Sequence, residues 1–280
     1  MRTSFQALAA GLVFVSSAAI AQEETSDLTL SGSVGLASDY RFRGVSQTNK
    51  NMAIQGGVTA THKSGFNVGA WGSNLAGWGT FGGANMELDL IGGYKLALGE
   101  NGALDVGLTW YMYPGGASKT DFAEPYVKLS GTAAGVSLTA GVAYAPKQEA
   151  LGNWFATGAD LVAGIPTDPG DKEDNLYVWG DAAYAIAGTP LTVKGHVGYS
   201  DGNPGLGPNG TSVTPTGEYL DYSVGLDATY KNFTLGVAYI DTDINFRREA
   251  AYLQPSFSNF QNGLRPISDG TVVFTLTAAF

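Results

Sequence analysis

The sequence predicts an all-β fold: a transmembrane antiparallel β-barrel of about twelve strands, preceded by a cleaved signal peptide. Three observations lead to this prediction. Apolar and polar residues alternate along twelve segments of roughly ten residues, the length that a tilted strand needs to cross a bilayer. The connections between these segments alternate between short and long, and the chain opens with a short apolar leader.

The composition excludes several classes of protein. The 280 residues include 40 Gly, no Cys and only 14% charged residues, and the formal net charge is −10. An acidic chain of this kind lacks the clustered Lys and Arg that phosphate contacts need, so we expect no nucleic-acid partner. Without Cys there is no disulfide and no thiolate nucleophile. No apolar run of about 20 residues, the length of a membrane-spanning helix, follows the leader.

The first 21 residues are typical of a secretory signal. Arg2 gives a positive start, residues 8–15 are apolar, and Ala19 and Ala21 fit the small-x-small cleavage pattern. The alternative is a short buried N-terminal helix. Cleavage after Ala21 predicts an exported protein in which residues 22–280 form one porin-like barrel domain, and no cofactor is expected.

The first strand segment shows the alternation most clearly. From residue 28 to residue 43 the even positions are mostly apolar, as at Leu30 and Leu36, while the odd positions carry every charge. Successive side chains of a strand point to opposite faces, so this pattern predicts a two-faced strand. It recurs in residues 54–61, 66–71, 86–95, 104–113, 124–129, 136–144, 176–186, 191–199, 222–230, 233–239 and 272–280.

The connections separate into two sets by length. Residues 63–65, 97–102, 132–135, 187–190 and 231–232 are short, whereas residues 44–51, 75–85, 114–121, 146–174, 200–218 and 241–269 are longer. Short turns at one end and long loops at the other are typical of outer-membrane barrels, with the long loops extracellular. An even strand number then places both termini in the periplasm. The alternative, a soluble β-sandwich, has no reason to sort its loops in this way.

The C-terminal segment and the aromatic residues agree with an outer-membrane location. Phe274, Leu276 and Phe280 share one face of the last segment, and a strand that ends in Phe resembles the signal read by the barrel assembly machinery of outer membranes. The alternative is an ordinary buried strand. Interfacial girdles facing lipid and lipopolysaccharide are predicted for aromatic residues near segment ends: Tyr40, Phe42, Trp110, Tyr144, Tyr199, Tyr230, Tyr239 and Phe280.

A motif follows the first segment. It has the form S-D-Y-x-F-R-G-x-S-Q and consists of Ser38, Asp39, Tyr40, Phe42, Arg43, Gly44, Ser46 and Gln47. This motif resembles the signature of the TorF family of porins, in which it recurs after the signal peptide. The resemblance implies an outer-membrane, porin-like barrel and adds no catalytic residue.

The charged face of the segments is predicted to line the lumen. Lys and Arg facing lipid would cost about 2–4 kcal/mol each near the midplane of the bilayer. The candidate pore-lining residues comprise eight acids, five bases and three further polar side chains: Asp39, Glu87, Asp89, Asp105, Glu124, Asp181, Asp221, Asp227, Arg41, Arg43, Lys95, Lys128, Lys194, Tyr111, Tyr113 and His196. The surplus of acids predicts a mild cation preference. The alternative is that these charges pair across strands and plug the barrel, because twelve strands lie between a filled and an open bore.

An outer-membrane enzyme that hydrolyses lipids is the catalytic alternative to a channel. His196 falls opposite Asp181 if the two strands pair about the turn at residues 187–190, and a carboxylate that orients an imidazole is half of a catalytic triad. Ser223 would be the third member. However, no G-x-S-x-G motif surrounds any Ser, so we expect a structural Asp181–His196 hydrogen bond and no enzyme. His62, the other histidine, is expected at the periplasmic surface.

Two loops complete the predictions. Residues 168–174 hold four carboxylates, but their spacing matches no EF-hand and Lys172 interrupts them, so we expect a solvated charge run and no metal site, or a segment that folds over the pore. Residues 203–215 are predicted to form an exposed connector. The function expected from the sequence is a narrow channel for small hydrophilic solutes or ions. The alternative is a closed barrel with a structural or surface-interaction role.

Overall fold

Twelve antiparallel strands close into one barrel in the computed structural model, which describes residues 27–259 and 262–280. The signal-peptide prediction for residues 1–21 lies outside the described residues. The barrel strands, numbered in chain order, are β1 Leu28–Ala37, β2 Ala53–His62, β3 Phe66–Asn74, β4 Met86–Leu98, β5 Gly102–Met112, β6 Phe122–Ala133, β7 Val136–Gln148, β8 Glu173–Ala185, β9 Leu191–Asp201, β10 Glu218–Tyr230, β11 Phe233–Thr242 and β12 Thr271–Ala279.

Each strand pairs with its neighbours in sequence, and β1 also pairs with β12 to close the barrel. At this seam Ser33 lies opposite Ala279 and Ala37 lies opposite Thr275. The terminal residue contributes to the closure, because the backbone N–H and C=O of Phe280 both bond to Gly32, at 2.9 and 2.8 Å. The all-β, twelve-stranded barrel predicted from the sequence is confirmed.

The strands carry their apolar side chains on the outside. Leu30, Val68 and Leu235 are exposed by 65%, 64% and 59%, although each is a large hydrophobic residue. Their neighbours in sequence point inward and are mostly polar or small. A barrel with this arrangement satisfies every backbone group within its wall and presents an apolar surface, which is the arrangement that a bilayer requires.

The connections follow the predicted division into two sets. Short turns at residues 63–65, 99–101, 134–135, 186–190 and 231–232 lie at the end of the barrel where β1 begins and β12 ends. Within the described ranges, the long connections contain helices α1 Gly158–Ala163 and α2 Phe246–Glu249, short 3-10 turns and two ladders of two-residue strands. Among the described residues, no helix is long and apolar enough to cross a membrane.

The first strand ends earlier than the alternation predicts. β1 stops at Ala37, and residues 38–52 turn back into the barrel through a small ladder in which Arg41 pairs with Ser46. Arg43 and Gly44 make the reversal with φ of 47° and 79°, in the left-handed region that suits glycine. Residues 38–52 are called the inner segment below.

The placement of Tyr40 and Phe42 in the outer aromatic girdle is therefore wrong. Tyr40 is fully buried and Phe42 is 9% exposed, because the inner segment carries both rings into the barrel. The ring of Tyr40 packs edge-on against Trp71, and that of Phe42 packs edge-on against Tyr111. The other rings of the predicted girdle stay on the wall: Trp110, Tyr144, Tyr230, Tyr239 and Phe280 are exposed and Tyr199 is partly exposed.

The prediction that residues 203–215 form an exposed connector is also wrong. Leu206 and Thr214 are buried, and the loop forms backbone bonds in both directions between Leu206 and Phe155 at 2.9 Å. Leu206 joins an apolar cluster with Val45 of the inner segment and Trp78. The Pro and Gly residues of this loop therefore shape a packed layer in the mouth of the barrel.

Two inward-facing glycines make room for rings on neighbouring strands. Gly107 of β5 lies opposite Tyr126 of β6, and Gly141 of β7 lies opposite Trp179 of β8. A side chain at either glycine would collide with the opposing ring. Large aromatic residues therefore lie across the backbone of the next strand and fill the interior.

Candidate functional site

The interior of the barrel is the candidate site, and it contains every residue that the sequence assigned to the lumen. Twelve of these side chains lie on the inward phase of barrel strands: Glu87, Asp89, Lys95, Asp105, Tyr111, Glu124, Lys128, Asp181, Lys194, His196, Asp221 and Asp227. Tyr113 follows β5 directly and is buried. Asp39, Arg41 and Arg43 are also inside, but on the inner segment and not on a strand, which corrects their predicted position.

Asp39 organises the inner segment. Its Oδ1 accepts hydrogen bonds from Ser46 Oγ at 2.5 Å and from Thr48 Oγ1 at 3.2 Å. Its Oδ2 lies 2.8 Å from Arg41 Nε. Arg41 Nη1 in turn donates to the carbonyl oxygens of Gly44 at 2.7 Å and Asp269 at 3.0 Å. The polar residues of the S-D-Y-x-F-R-G-x-S-Q motif thus hold the segment in its folded-back conformation.

Arg43 connects the inner segment to the opposite wall. Its Nη2 lies 2.6 Å from Glu124 Oε1 on β6, and its Nη1 donates to Asn175 Oδ1 on β8 at 2.7 Å. The guanidinium carbon also lies 4.1 Å from the centre of the Tyr177 ring. Burial lowers the pKa of the Arg43 guanidinium, but the negative charge and the hydrogen bond of Glu124 raise it by more. The pKa of Arg43 is therefore above its ordinary value. Arg43 is therefore a permanent charge that bridges the lumen.

Tyr40 connects the inner segment to β4. Its hydroxyl donates to Glu87 Oε1 at 3.1 Å. Burial raises the pKa of Tyr40 well above its ordinary value, and the carboxylates of Glu87 and Asp89 raise it further. The phenol therefore keeps its proton and acts as a donor. Asp89 lies on the same inner face of β4, and its carboxyl group lies within hydrogen-bonding distance of that of Glu87.

His196 is held between two carboxylates. Its Nδ1 lies 2.7 Å from Asp181 Oδ1 and its Nε2 lies 3.0 Å from Asp221 Oδ1. Tyr177 Oη contacts the same Nε2 at 3.0 Å. Asp181 and His196 are direct cross-strand partners, which is the pairing and the hydrogen bond that the sequence predicts.

The histidine geometry differs from that of a catalytic triad. Ser223 lies opposite His196 across the β9–β10 pair, but Nε2, the nitrogen that would accept a proton from a nucleophile, faces Asp221. His62 is the last residue of β2, and its Nδ1 lies 2.8 Å from Ser64 Oγ in the short turn that follows. His62 thus lies at the short-turn end of the wall, whereas His196 lies in the middle of β9.

Ion pairs also occur in the half of the interior nearer the short turns. Lys128 Nζ lies 3.1 Å from Asp105 Oδ2, and Lys194 Nζ lies 2.7 Å from Asp227 Oδ1. The inward residues of neighbouring strands at this level include Thr59 and Thr234, which are only partly buried. This half is therefore more accessible than the half occupied by the inner segment.

The long loops and the inner segment fill the other half of the barrel. Phe81 stacks on Tyr113 and Tyr111 stacks on Phe122, with ring centres 4.4 and 4.6 Å apart. Two small cavities among residues 27–259 and 262–280 have volumes of about 10 Å³ each, no more than a single water needs. The inner segment is buried within this half of the lumen.

Sequence reasoning missed Asn175 and Tyr177. Besides Arg43, Asn175 bonds to the Asp201 carbonyl at 3.0 Å and to Thr214 Oγ1 at 2.6 Å. Tyr177 joins Arg43 to the His196 cluster. Both residues share the inward phase of β8 with Asp181. Tyr177 lies within the predicted segment 176–186, and extending the period-two pattern by one residue would have included Asn175.

The carboxylates of residues 168–174 separate into different contacts. Asp168 is exposed, Asp171 Oδ2 accepts from the backbone N–H of Asn153 at 2.8 Å, and Asp174 Oδ2 accepts from Tyr144 Oη at 2.6 Å. Lys147 pairs with Glu173 at 3.0 Å. Over the described ranges, no group of three or more His, Asp or Glu side chains is arranged to hold a metal ion.

A closed antiparallel barrel with an apolar outer face and a charged interior defines the class of transmembrane β-barrels. Residues 21–280 match the model of the family described as "Bacterial protein of unknown function (Gcw_chp)", and the chain belongs to that family. This description names no function, so the resemblance of the motif at residues 38–47 to the TorF porins stays a prediction. No curated protein matches the chain.

Solved porin structures resemble the barrel only distantly. A porin refined at 1.8 Å resolution is 12% identical, with a TM-score of 0.41, over 90% of this chain and 100% of that one. The outer membrane channel DcaP of Acinetobacter baumannii is also 12% identical, with a TM-score of 0.41, over 90% and 97% of the two chains. OmpT of Vibrio cholerae is 9% identical, with a TM-score of 0.39, over the same shares. Similarities of this degree assign no function.

Proposed function

We propose that the protein is a bacterial outer-membrane channel for passive diffusion of small hydrophilic solutes or ions, narrowed by the inner segment. The main support for this proposal is that the barrel wall has an apolar outer face and a polar inner face. Large apolar side chains are exposed outside, while acids, bases and hydroxyls face inward. A wall of this kind separates lipid from a polar passage.

Several features support the outer membrane and an orientation with the long loops extracellular and both termini periplasmic. The short turns and the two ends of the barrel sheet lie on one side, as in outer-membrane barrels. Exposed aromatic residues such as Trp110 and Tyr230 lie near strand ends. Phe274, Leu276 and Phe280 all point outward on the last strand, and we propose that they serve as the signal for the barrel assembly machinery.

The charges of the interior support a mild cation preference. Eight carboxylates and five Lys or Arg side chains of the predicted pore lining lie inside the barrel. Ion pairs with carboxylates are formed by several of these bases, namely Arg41, Arg43, Lys128 and Lys194. Fixed negative charge that remains after pairing concentrates cations in a narrow passage.

A closed barrel with a structural or surface-interaction role is the second candidate. The observation that favours it is the burial of the inner segment, where residues 39–48 are all buried. Such a barrel would expose its long loops to partners outside the cell and would conduct nothing. The two candidates differ in whether the inner segment leaves a continuous water path.

Single-channel recording in planar lipid bilayers separates these candidates. If the protein is a channel, the recordings should show discrete conductance steps. Under a KCl gradient, the reversal potential should have the sign that a preference for K⁺ over Cl⁻ produces. An anion preference would remove the selectivity part of the proposal. Heat-modifiable migration on gels would show that the inserted barrel is folded. If the folded barrel conducts no current and its liposomes do not swell in small sugars, the closed barrel is the function.

A further inference from the structure

The lumen is open to solvent on the side of the short turns. Along β6 the inward residues are buried as far as Lys128, whereas Ser130 is partly exposed and Thr132 is exposed. On β8, Tyr177 is buried and Trp179, the next inward residue, is partly exposed. Solvent can reach an inward side chain only through the lumen. The short-turn half therefore encloses a water-accessible space, called the chamber below, and Trp179 lies at its inner end.

The indole ring of Trp179 lies flat against the wall of the chamber. A carbon added at Gly141, directly opposite on β7, would collide with three atoms of the ring, Cε2, Cζ2 and Cη2. One face of the indole therefore covers the backbone of that glycine. The ring is nearly parallel to that of Tyr177, at an angle of 18° with the ring centres 5.4 Å apart. Because the wall takes one face of the indole, the other face is turned toward the lumen.

Two neighbouring rings of the same cluster are already in contact with cations. The guanidinium carbon of Arg43 lies 4.1 Å from the centre of the Tyr177 ring, and Lys128 Nζ lies 4.4 Å from the centre of the Tyr126 ring. These two rings are 8% and 5% exposed, whereas Trp179 is partly exposed. Trp179 is therefore the ring of the three that has a face available to a solute.

Hydrogen-bonding groups border the indole on the side of the short turns. Thr139 and Asp181 form the next inward pair after Gly141 and Trp179, and Ser130 lies opposite Thr139. Ser130 and Thr139 are partly exposed. Successive inward residues of a strand are about 7 Å apart, so a solute stacked on the indole reaches these hydroxyls with its edge.

The charges that line the chamber are engaged with one another. The pairs are Lys128 with Asp105 at 3.1 Å, Lys194 with Asp227 at 2.7 Å, and His196 with Asp181 at 2.7 Å. An ion that bound among them would have to separate an existing pair, which leaves a charge uncompensated. A neutral solute that uses the indole face and the hydroxyls leaves every pair intact. The lining therefore favours a neutral, polar solute.

We propose that the free face of Trp179, with the hydroxyls of Ser130 and Thr139 beside it, binds a sugar ring that enters from the short-turn end. A sugar ring presents C–H groups on its face, which stack on an aromatic ring, and hydroxyls at its edge, which bond to polar groups around that ring. That the channel also passes this solute rests on the function proposed above. The binding itself needs no conducting pore.

Binding of maltotriose to the purified barrel tests the proposal. A saturation-transfer NMR titration in lauryldimethylamine oxide, a detergent without a sugar headgroup, should show saturable binding. Trp179→Ala should weaken this binding by about tenfold, the loss expected when one aromatic contact is removed. Thr139→Val keeps the shape of its side chain and should weaken binding severalfold. Trp110→Ala is the matched control, because it removes an indole from the outer face, where Trp110 is 50% exposed, and should leave binding unchanged.

The outcomes separate the site from the channel. Heat-modifiable migration on gels shows that each variant is folded. A folded barrel that binds no maltotriose, or binds it equally well with Trp179→Ala, would overturn the proposal whether or not it conducts. Tetramethylammonium binding that is lost in Trp179→Ala, without maltotriose binding, would also overturn it, because the indole would then recognise cations. Maltotriose binding through Trp179 in a barrel that is silent in bilayers would support the site and refute the channel.

Discussion

Arg43 of the inner segment and Glu124 on β6 form a buried ion pair, with Nη2 2.6 Å from Oε1 and both side chains 4% exposed. The two residues are 81 positions apart in sequence and come from opposite sides of the lumen. Removing one partner of such a pair leaves a buried, uncompensated charge, which is far more costly than losing an exposed pair. This contact therefore decides how firmly the inner segment is held.

Replacing Arg43 with Met should loosen the inner segment. Glu124 and Asn175 would each lose their partner, and we expect a loss of about 3–5 kcal/mol in the free energy of unfolding. Single-channel conductance should rise above that of the unsubstituted protein. The control is Lys63→Met, whose pair with Asp27 is more than half exposed and should contribute at most about 1 kcal/mol. Equal conductance in the two variants would contradict a constriction by the inner segment.

Replacing Lys194 with Met should increase cation preference. Asp227, on the adjacent strand, would lose the ammonium 2.7 Å from its Oδ1 and would add negative charge to the interior. The reversal potential across a KCl gradient should move toward the potassium equilibrium potential. Lys147→Met removes the same charge from a largely exposed side chain at the long-loop end of β7 and should cause a smaller change. A shift toward anions would refute the lumen assignment of Lys194.

Replacing His196 with Ala should destabilise the barrel without affecting any lipid hydrolysis. Both ring nitrogens face carboxylates, so the variant would leave Asp181 and Asp221 without the group that separates them. We expect the urea-unfolding free energy to fall by about 3–5 kcal/mol. His62→Ala, which alters an exposed contact with Ser64, should leave stability nearly unchanged. Phospholipase activity that disappears only in His196→Ala would show that the cluster is catalytic.

Replacing Gly107 with Ala should also destabilise the barrel. The new methyl group would lie 2.5 Å from the Tyr126 ring and 2.7 Å from the carbonyl oxygen of Gly92, so the wall must shift. Overpacking of this kind costs about 1–3 kcal/mol. Gly92→Ala is the matched control on the adjacent strand, because nothing lies within 4 Å of its added carbon. If the two variants unfolded at the same temperature in a thermal melt, the inward glycine would not be needed to make room for the Tyr126 ring.

The wall could be predicted from sequence because its determinants are local. Alternation along each strand sets the inner and outer faces, and a short turn sets the register of the hairpin around it. The opposition of Asp181 and His196 follows from these two rules alone. The same rules assign strand residues such as Glu87 and Asp105 to the inward phase of their strands, even where strand ends differ by a few residues.

The path of the inner segment could not be predicted because its contacts are distant in sequence. The alternation continues through Tyr40 and Phe42, so a longer first strand satisfies the local pattern equally well. What turns the chain inward is the set of partners on other strands, such as Glu87 for Tyr40, 47 positions away. Leu206 shows the same limit, because a loop rich in Pro and Gly looks exposed until the barrel mouth surrounds it.

The inner segment contacts the wall at points spread around its circumference: Glu87 on β4, Glu124 on β6, Asn175 on β8, and Asp269 just before β12. A hollow cylinder of strands flattens easily, because bending between neighbouring strands breaks few bonds. Ties across the diameter oppose that flattening, so the segment keeps the cross-section round. The wall and the segment therefore form one cooperative unit, and the segment cannot detach without softening the cylinder that contains it.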